Sequence, residues 1–362
     1  MRNLLKRIVE SDPDLTVAGI AMNGQFALQK IPLLNPDIIV LDIEMPAMNG
    51  LEFLEEKNKR GIDIPVVILS AVATKGARVT MEALALGASD FITKPSGSVS
   101  DDIESVADRL KQLLKAYGFD YRKRKYGSSV IRHICEPREM KPPVVKPLTP
   151  PPERHTLTST DDWEKIIPMR KPGNIELIAI GISTGGPNAL RQVFASLKKE
   201  LAIPIVVVQH MPPGFTKEFA QSLNKICPLE VKEAEDGDLI KTGRILIAPG
   251  DHHLEVVKKP LAAVVQLKNT DTVNGHKPSV GVLFDSVARQ YQNHAAAVIM
   301  TGMGKDGSRE IGKIYKEGGI TMAQDEKSCI VYGMPRVAVE HNYIGQVISL
   351  ENIAEALNNL SA

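Results

Sequence analysis

The chain has 362 residues, 43% hydrophobic and 24% charged, which is enough to bury an ordinary globular core and excludes wholesale disorder. At roughly 150 residues per domain it holds two domains and some connecting chain. Lys and Arg number 44 against 43 Asp and Glu, a net charge of +1 without the basic surplus expected of a non-specific nucleic-acid binder.

The N-terminus, MRNLLKRIVESDPD, is no signal peptide, because charges interrupt its apolar residues. Leu4, Leu5, Ile8 and Val9 share one helical face. An apolar strand (15–21), a helix (25–34) and a strand (37–41) should follow. After them come a helix (50–60), a strand (65–69), a helix (80–86), a short strand (91–93) and a helix (100–117). Strands that are continuously apolar and alternate with helices predict a parallel sheet covered on both faces. Residues 118–172 change character, with the basic run RKRKYG and the proline-rich KPPVVKPLTPPPERH. This composition favours extended chain, and the region reads as a linker.

Alternation resumes at Asn174. Strands are predicted at ELIAIGI, IPIVVVQ, RILIAP, AAAVIMT and 319–323, with LAAVVQL as a hairpin arm. Helices are predicted at 187–197, 216–226, 279–290, 309–317 and 350–360. No apolar stretch approaches the ~18 residues of a membrane span. Cys135, Cys227 and Cys329 form no CxxC pair, which argues against a zinc site or a disulfide framework. The expected fold is α/β: two doubly wound parallel-sheet domains, 1–117 and 173–362, joined by a proline-rich linker. The expected location is the cytoplasm, without membrane insertion.

In DIIVLDIEMPAMNG, Asp42 stands where an apolar strand runs out. Ser70 ends the next strand, and Lys94, followed by Pro95, ends the one after. Ligands of open parallel sheets sit beyond the carboxyl ends of the strands. A carboxylate, a hydroxyl and an ammonium there make a phosphoryl site: nucleophile, hydrogen-bond donor and charge partner.

On these residues, with D-I-E-M-P-x-M-N-G and T-K-P, residues 1–117 resemble the receiver domain of two-component response regulators. The resemblance implies a flavodoxin-like fold and an Asp42 that accepts a phosphoryl group from a histidine kinase. It also implies that Ser70 and Phe91 relay the change, that Lys94 contacts the phosphate, and that Lys94–Pro95 is a cis peptide. Receivers usually begin with an apolar strand ending in an acidic pair that helps hold Mg²⁺. This chain starts at what reads as the following helix. In strand order 2-1-3-4-5 the missing strand is an inner one, and its loss leaves two apolar edges unpaired. Asp42 and the backbone carbonyl of Glu44 are left as Mg²⁺ ligands, a thin coordination set. Either Met1 is an internal methionine of a longer reading frame, or the receiver is impaired.

In the second half, Gly181-Ile182-Ser183-Thr184-Gly185 fits G-x-S-x-G between a predicted strand and helix. That context exposes a serine hydroxyl on a sharp turn, with a helix N-terminus to favour developing negative charge. A helix-capping serine is the plainer reading of the motif. A dinucleotide loop is disfavoured, because Ser183 replaces the middle glycine of G-x-G-x-x-G, and Gln209 and His210 stand where an acid is needed. His210 ends the next strand and could be the base that a serine nucleophile needs. Asp306, in TGMGKDG after a third strand, could orient that imidazole, although a D-G pair is also a common turn. The order Ser, His, Asp differs from that of α/β-hydrolases.

The segments A-I-G-I-S-T-G-G-P, V-V-V-Q-H-M-P-P-G-F-T, A-P-G-D-H-H, K-P-S-V-G-V-L-F and T-G-M-G-K-D-G resemble the catalytic domain of the chemotaxis protein-glutamate methylesterases. The resemblance implies Ser183 as nucleophile, His210 as base, Asp306 as its partner, the Met303 N–H in the oxyanion hole and Thr184 lining the site. It implies no cofactor for catalysis. The partners it implies are methyl-accepting chemotaxis receptors, as substrate, and a chemotaxis histidine kinase. The family commonly has R-P-S-V-D where this chain has Lys277-Pro-Ser-Val-Gly281, and lysine lacks the guanidinium fork. His252 and His253 are expected to line the cleft, since no third metal ligand is evident.

Overall fold

The structure is a computed structural model describing residues 2–71, 74–94, 100–127 and 167–361. The predicted Lys94–Pro95 peptide and most of the linker lie outside these residues. The N-terminal half runs α1 (Arg2–Glu10), α2 (Gly24–Leu34), β1 (Ile39–Asp42), α3 (Gly50–Lys59), β2 (Val66–Ser70), α4 (Thr74–Ala85), β3 (Asp90–Thr93) and α5 (Ser100–Tyr126). Its sheet is parallel with order β1-β2-β3. The register sets Asp42 opposite Leu69 and Ser70 opposite Thr93, so the predicted trio shares one edge.

Two predictions for this half are corrected. Residues 15–21 form no strand, because among the described residues no neighbouring strand supplies the ladder bonds that would make an apolar run regular. Helix α5 does not stop near Tyr117. Gly118 is tolerated inside it, and the buried Tyr121 keeps it packed on the domain, its hydroxyl 3.3 Å from an Asp63 oxygen. The basic run 122–125 is therefore helical.

The second half contains β4 (Leu177–Ile182), α6 (Gly186–Ala195), β5 (Ile205–Gln209), α7 (Phe215–Asn224), β6 (Glu230–Glu233), β7 (Arg244–Ile247), the hairpin β8 (His253–Lys258) and β9 (Ala263–Lys268), α8 (Val280–Tyr291), β10 (Ala295–Ile299), α9 (Ile311–Lys316), β11 (Ile320–Gln324), α10 (Met334–Glu340), β12 (Gln346–Ile348) and α11 (Leu350–Asn358). Seven strands form one parallel sheet, order β12-β11-β10-β4-β5-β7-β6. Every residue of β4 is buried. Ile178 and Ile180 pack with Leu190 and Phe194 on one face, while Leu177 and Ala179 pack with Leu283 and Phe284 on the other. β6, β8, α10 and β12 are not among the elements expected from the sequence. EVKE is a charged edge strand, QVI has three residues, and MPRVAVE has seven, too few to show a period.

Among the described residues, no helix is long and apolar enough to cross a membrane. The two halves touch directly: Phe91 stacks on Phe215 with ring centroids 4.8 Å apart. The Asn188 side chain donates to the carbonyls of Ala88 and Ser89 at 2.9 and 3.2 Å.

Asn49 caps α3 by accepting from Leu51 and Glu52 N–H, and Glu52 reaches back to the Asn49 N–H. Replacing Asn49 by Ala should cost about 1 kcal/mol, read as a lower urea midpoint for the N-terminal half.

Candidate active site

Because β4 is the strand from which the connections turn both ways, its carboxyl end is where an open parallel sheet holds a ligand. Ser183 follows β4, His210 follows β5, and the loop bearing Asp306 follows β10. Backbone bonds tie these ends together: His210 N–H to Ile182 C=O at 3.1 Å, and Ser183 N–H to Thr301 C=O at 3.0 Å.

The serine turn needs its glycines. Gly185 has φ +79°, which side-chain-bearing residues rarely adopt. A Cβ on Gly186 would lie 1.9 Å from Gln209 Oε1. That closeness lets the Gln209 amide donate to the carbonyls of Ser183 and His210, at 3.0 and 3.1 Å, and so lock the two loops. Ser183 and Thr184 are buried, and the Thr184 hydroxyl has no partner among the described residues.

His210 Nε2 lies 2.8 Å from Asp306 Oδ2. The Asp306 carboxylate is buried and also accepts from the Val280 N–H (2.7 Å), the Ser279 hydroxyl (2.7 Å), the Asn274 amide (3.0 Å) and the Gly281 N–H (3.3 Å). Burial pushes this carboxyl up. The His210 contact, with Asn274 and Ser279 behind it, outweighs burial and brings it down to about 2. A permanent carboxylate at Nε2 keeps a proton on that nitrogen in the neutral ring, so the lone pair sits on Nδ1. Nδ1 is buried and unpartnered among the described residues.

Ser183 and His210 thus end neighbouring strands, but no hydrogen bond joins the serine hydroxyl to the ring among the described contacts. The Met303 N–H likewise donates to no backbone acceptor among the described residues. His253 does not line the cleft. It is fully buried, accepting at Nδ1 from the Ser279 N–H and meeting the Asp271 carbonyl at Nε2. Lys277 turns to Asn269 at 2.6 Å and Asp251 at 3.5 Å.

Four residues of this site were not anticipated: Gln209, Asn274, His276 and Ser279. Gln209 entered the sequence reading only as a mismatch to another motif. Ser279 is recoverable as the N-cap of α8, and Asn274-Gly275 as a turn dipeptide. Contact with Asp306 is visible only once the chain is folded.

At the N-terminal edge, Lys94 Nζ lies 2.8 Å from each Asp42 oxygen, and the Glu44 N–H donates to Asp42 at 3.1 Å. Ser70 is not drawn in, because its buried hydroxyl accepts from Thr80 at 2.6 Å. These residues do not suit Mg²⁺ held by protein groups. Both Asp42 oxygens face an ammonium, and the described residues contain no group of three His, Cys, Asp or Glu able to hold a metal.

Between the two halves, the buried Asp90 accepts from the Gly185 N–H of the serine turn at 3.1 Å, from the Phe91 N–H and from the Tyr117 hydroxyl. Burial raises its carboxyl, against the charge of Arg109 and these donors.

A Rossmann-like sheet with a serine turn at its switch point, preceded by a receiver-like half, defines a response regulator with a hydrolase output domain. Residues 1–100 match the response regulator receiver domain and residues 178–357 the CheB methylesterase domain. A protein of Treponema denticola named protein-glutamate methylesterase/protein-glutamine glutaminase is 58% identical over 99% of this chain and 94% of its own length. A Treponema pallidum protein of the same name is 47% identical over 99% and 94%. The crystal structure of the Thermotoga maritima CheB methylesterase catalytic domain aligns over 52% of this chain and all of that one, with 41% identity and a TM-score of 0.51. The chain belongs to the CheB methylesterase family of response regulators.

Replacing Gly186 by Ala should cost about 1–3 kcal/mol by overpacking and displace Gln209. Calorimetry should show a lower Tm, and hydrolysis a kcat reduced roughly 10- to 100-fold.

Proposed function

We propose that this protein removes γ-methyl esters from glutamates of methyl-accepting chemotaxis receptors in the cytoplasm, with methanol as the product, and deamidates receptor glutamines at the same site. The observation that carries this reading is the His210–Asp306 contact, which leaves Nδ1 without a partner among the described residues, on the residue whose N–H bonds the carbonyl of Ile182, just before Ser183. In the proposed reaction, Ser183 Oγ bonds to the ester carbonyl carbon while His210 Nδ1 takes its proton. Asp306 stabilises the resulting imidazolium, and backbone donors, with Met303 N–H among them, hold the oxyanion. The C–O bond to methoxide then breaks, and Nδ1 returns the proton to give methanol. Water hydrolyses the acyl-enzyme through the same base, yielding glutamate and free Ser183. With an amide substrate the leaving group is ammonia. No step requires a cofactor.

For control, we infer a receiver of 1–117, a linker of 118–172 and a catalytic half of 173–362, with α5 running on to Tyr126. Asp42 is the proposed phosphate acceptor from a chemotaxis histidine kinase, with Lys94 as its charge partner and Ser70 and Phe91 as relays. Unphosphorylated, the receiver holds the serine turn through Asp90, which takes up the Gly185 N–H and covers the cleft.

Ser183→Ala should lower the rate of methanol release from methylated receptor membranes by about 10³-fold or more. A near-wild-type rate in that variant would remove the nucleophile from this account. Asp90→Ala and Asp90→Asn should raise the basal rate of the unphosphorylated full chain about tenfold, since a buried charge-assisted hydrogen bond is worth roughly 1.5–3 kcal/mol. Basal rates unchanged in both variants would mean that Asp90 is no latch.

A further inference from the structure

Among the described residues, the His210 ring has one hydrogen-bond anchor, at Nε2. Nδ1 must stay free if it is to take a proton from serine, so no second bond can fix the plane of the ring. Something else must stop the imidazole from turning about its single contact.

The loop after β9 supplies a candidate. Val273 and His276 exchange two backbone bonds, at 3.1 and 3.0 Å. Asn274 and Gly275 between them have φ +53° and +76°, the left-handed pair that a two-residue type I′ turn requires, and Asn-Gly adopts it readily. The turn reaches both members of the pair. Asn274 Nδ2 donates to Asp306 Oδ1 at 3.0 Å. The His276 ring lies on the His210 ring with centroids 3.7 Å apart and planes 11° apart.

We propose that the Asn274–His276 turn is a clamp on the catalytic pair, in which His276 is a positioning residue that fixes the plane of His210 and excludes water from one face of it. The proposal rests on the proposed roles of Ser183 and His210. The clamp works only while His276 is uncharged, since two stacked cations repel. The groups acting on it are His210, Asp306 and, from α5, Arg109. Burial, helped by the positive charges of His210 and Arg109 and opposed by Asp306, brings His276 down to about 4. At neutral pH, His276 therefore stays neutral, and it sets no second positive charge against the imidazolium formed when His210 takes the serine proton.

The test uses the full chain on methylated receptor membranes. His276→Phe keeps the flat ring, His276→Leu keeps bulk without it, and Ser183→Ala is measured alongside. In His276→Leu, kcat should fall roughly 10- to 100-fold with KM within about twofold, as expected for a misplaced base. The acid limb of its kcat/KM profile should move to higher pH, because water reaches the uncovered face and favours the imidazolium. His276→Phe should recover kcat to within about fivefold and return the limb to its wild-type position. Equal loss in both variants would mean that the imidazole nitrogens of His276 matter rather than its face, and would overturn the clamp. Wild-type kinetics in both, with Ser183→Ala inactive, would overturn the clamp alone. An active Ser183→Ala would overturn the underlying reading instead.

Discussion

A carboxylate taken out of water is costly unless donors surround it, and the catalytic half is organised around one such group. Asp306 collects Nε2 of His210, two backbone N–H groups from the start of α8, the Ser279 hydroxyl and the Asn274 amide. These donors come from the β5 edge, from the loop after β9 and from the first turn of α8. The helix terminus contributes both unsatisfied N–H groups and the positive end of its dipole. Losing the carboxylate would free all of them together. The same contact that settles the tautomer of His210 thus also ties three segments together around Asp306.

The sheet explains why those segments meet. Parallel strands place all their carboxyl ends on one side, and β4 lies between β5 and β10, so residues distant in sequence arrive within a few ångströms. Gln209 then sets the depth of the serine turn. It can do so only because Gly186 leaves its amide the room. The hairpin β8–β9 lies outside the seven-stranded sheet and leads into the turn that covers His210.

Most of this architecture was legible in the sequence, because the strands of the central sheet are buried on both faces and read as continuous apolar runs. Ser183, His210 and Asp306 were legible as strand-end residues. Their partners were not, because Asn274, Ser279 and His276 approach Asp306 and His210 through a loop whose path no periodicity encodes. His253 was misread because a histidine after a strand-like run is as apt to serve the backbone as a ligand, and here it braces Ser279. Segment 15–21 was misread for a different reason. Its composition suits a strand, but strand structure is a property of pairs, and the segment pairs with no strand among the described residues.

The proposed regulation needs a physical path from Asp42 to Ser183, and β3 offers a short one. Its four residues span about 13 Å at ~3.3 Å each. Lys94 follows its carboxyl end and pairs with Asp42. At the other end, Asp90 holds the Gly185 N–H, and Phe91 lies on Phe215 at the start of α7. A phosphoryl group on Asp42 would compete for the Lys94 ammonium, and any movement of Lys94 acts on the strand that carries the Asp90 and Phe91 contacts with the other half. A buried aromatic stack and a buried carboxylate do not yield gradually, because a gap of about 0.5–1 Å already forfeits roughly a quarter to a half of a close-packed contact's attraction. Displacing β3 would therefore release the serine turn in one step, as a switch between two states requires.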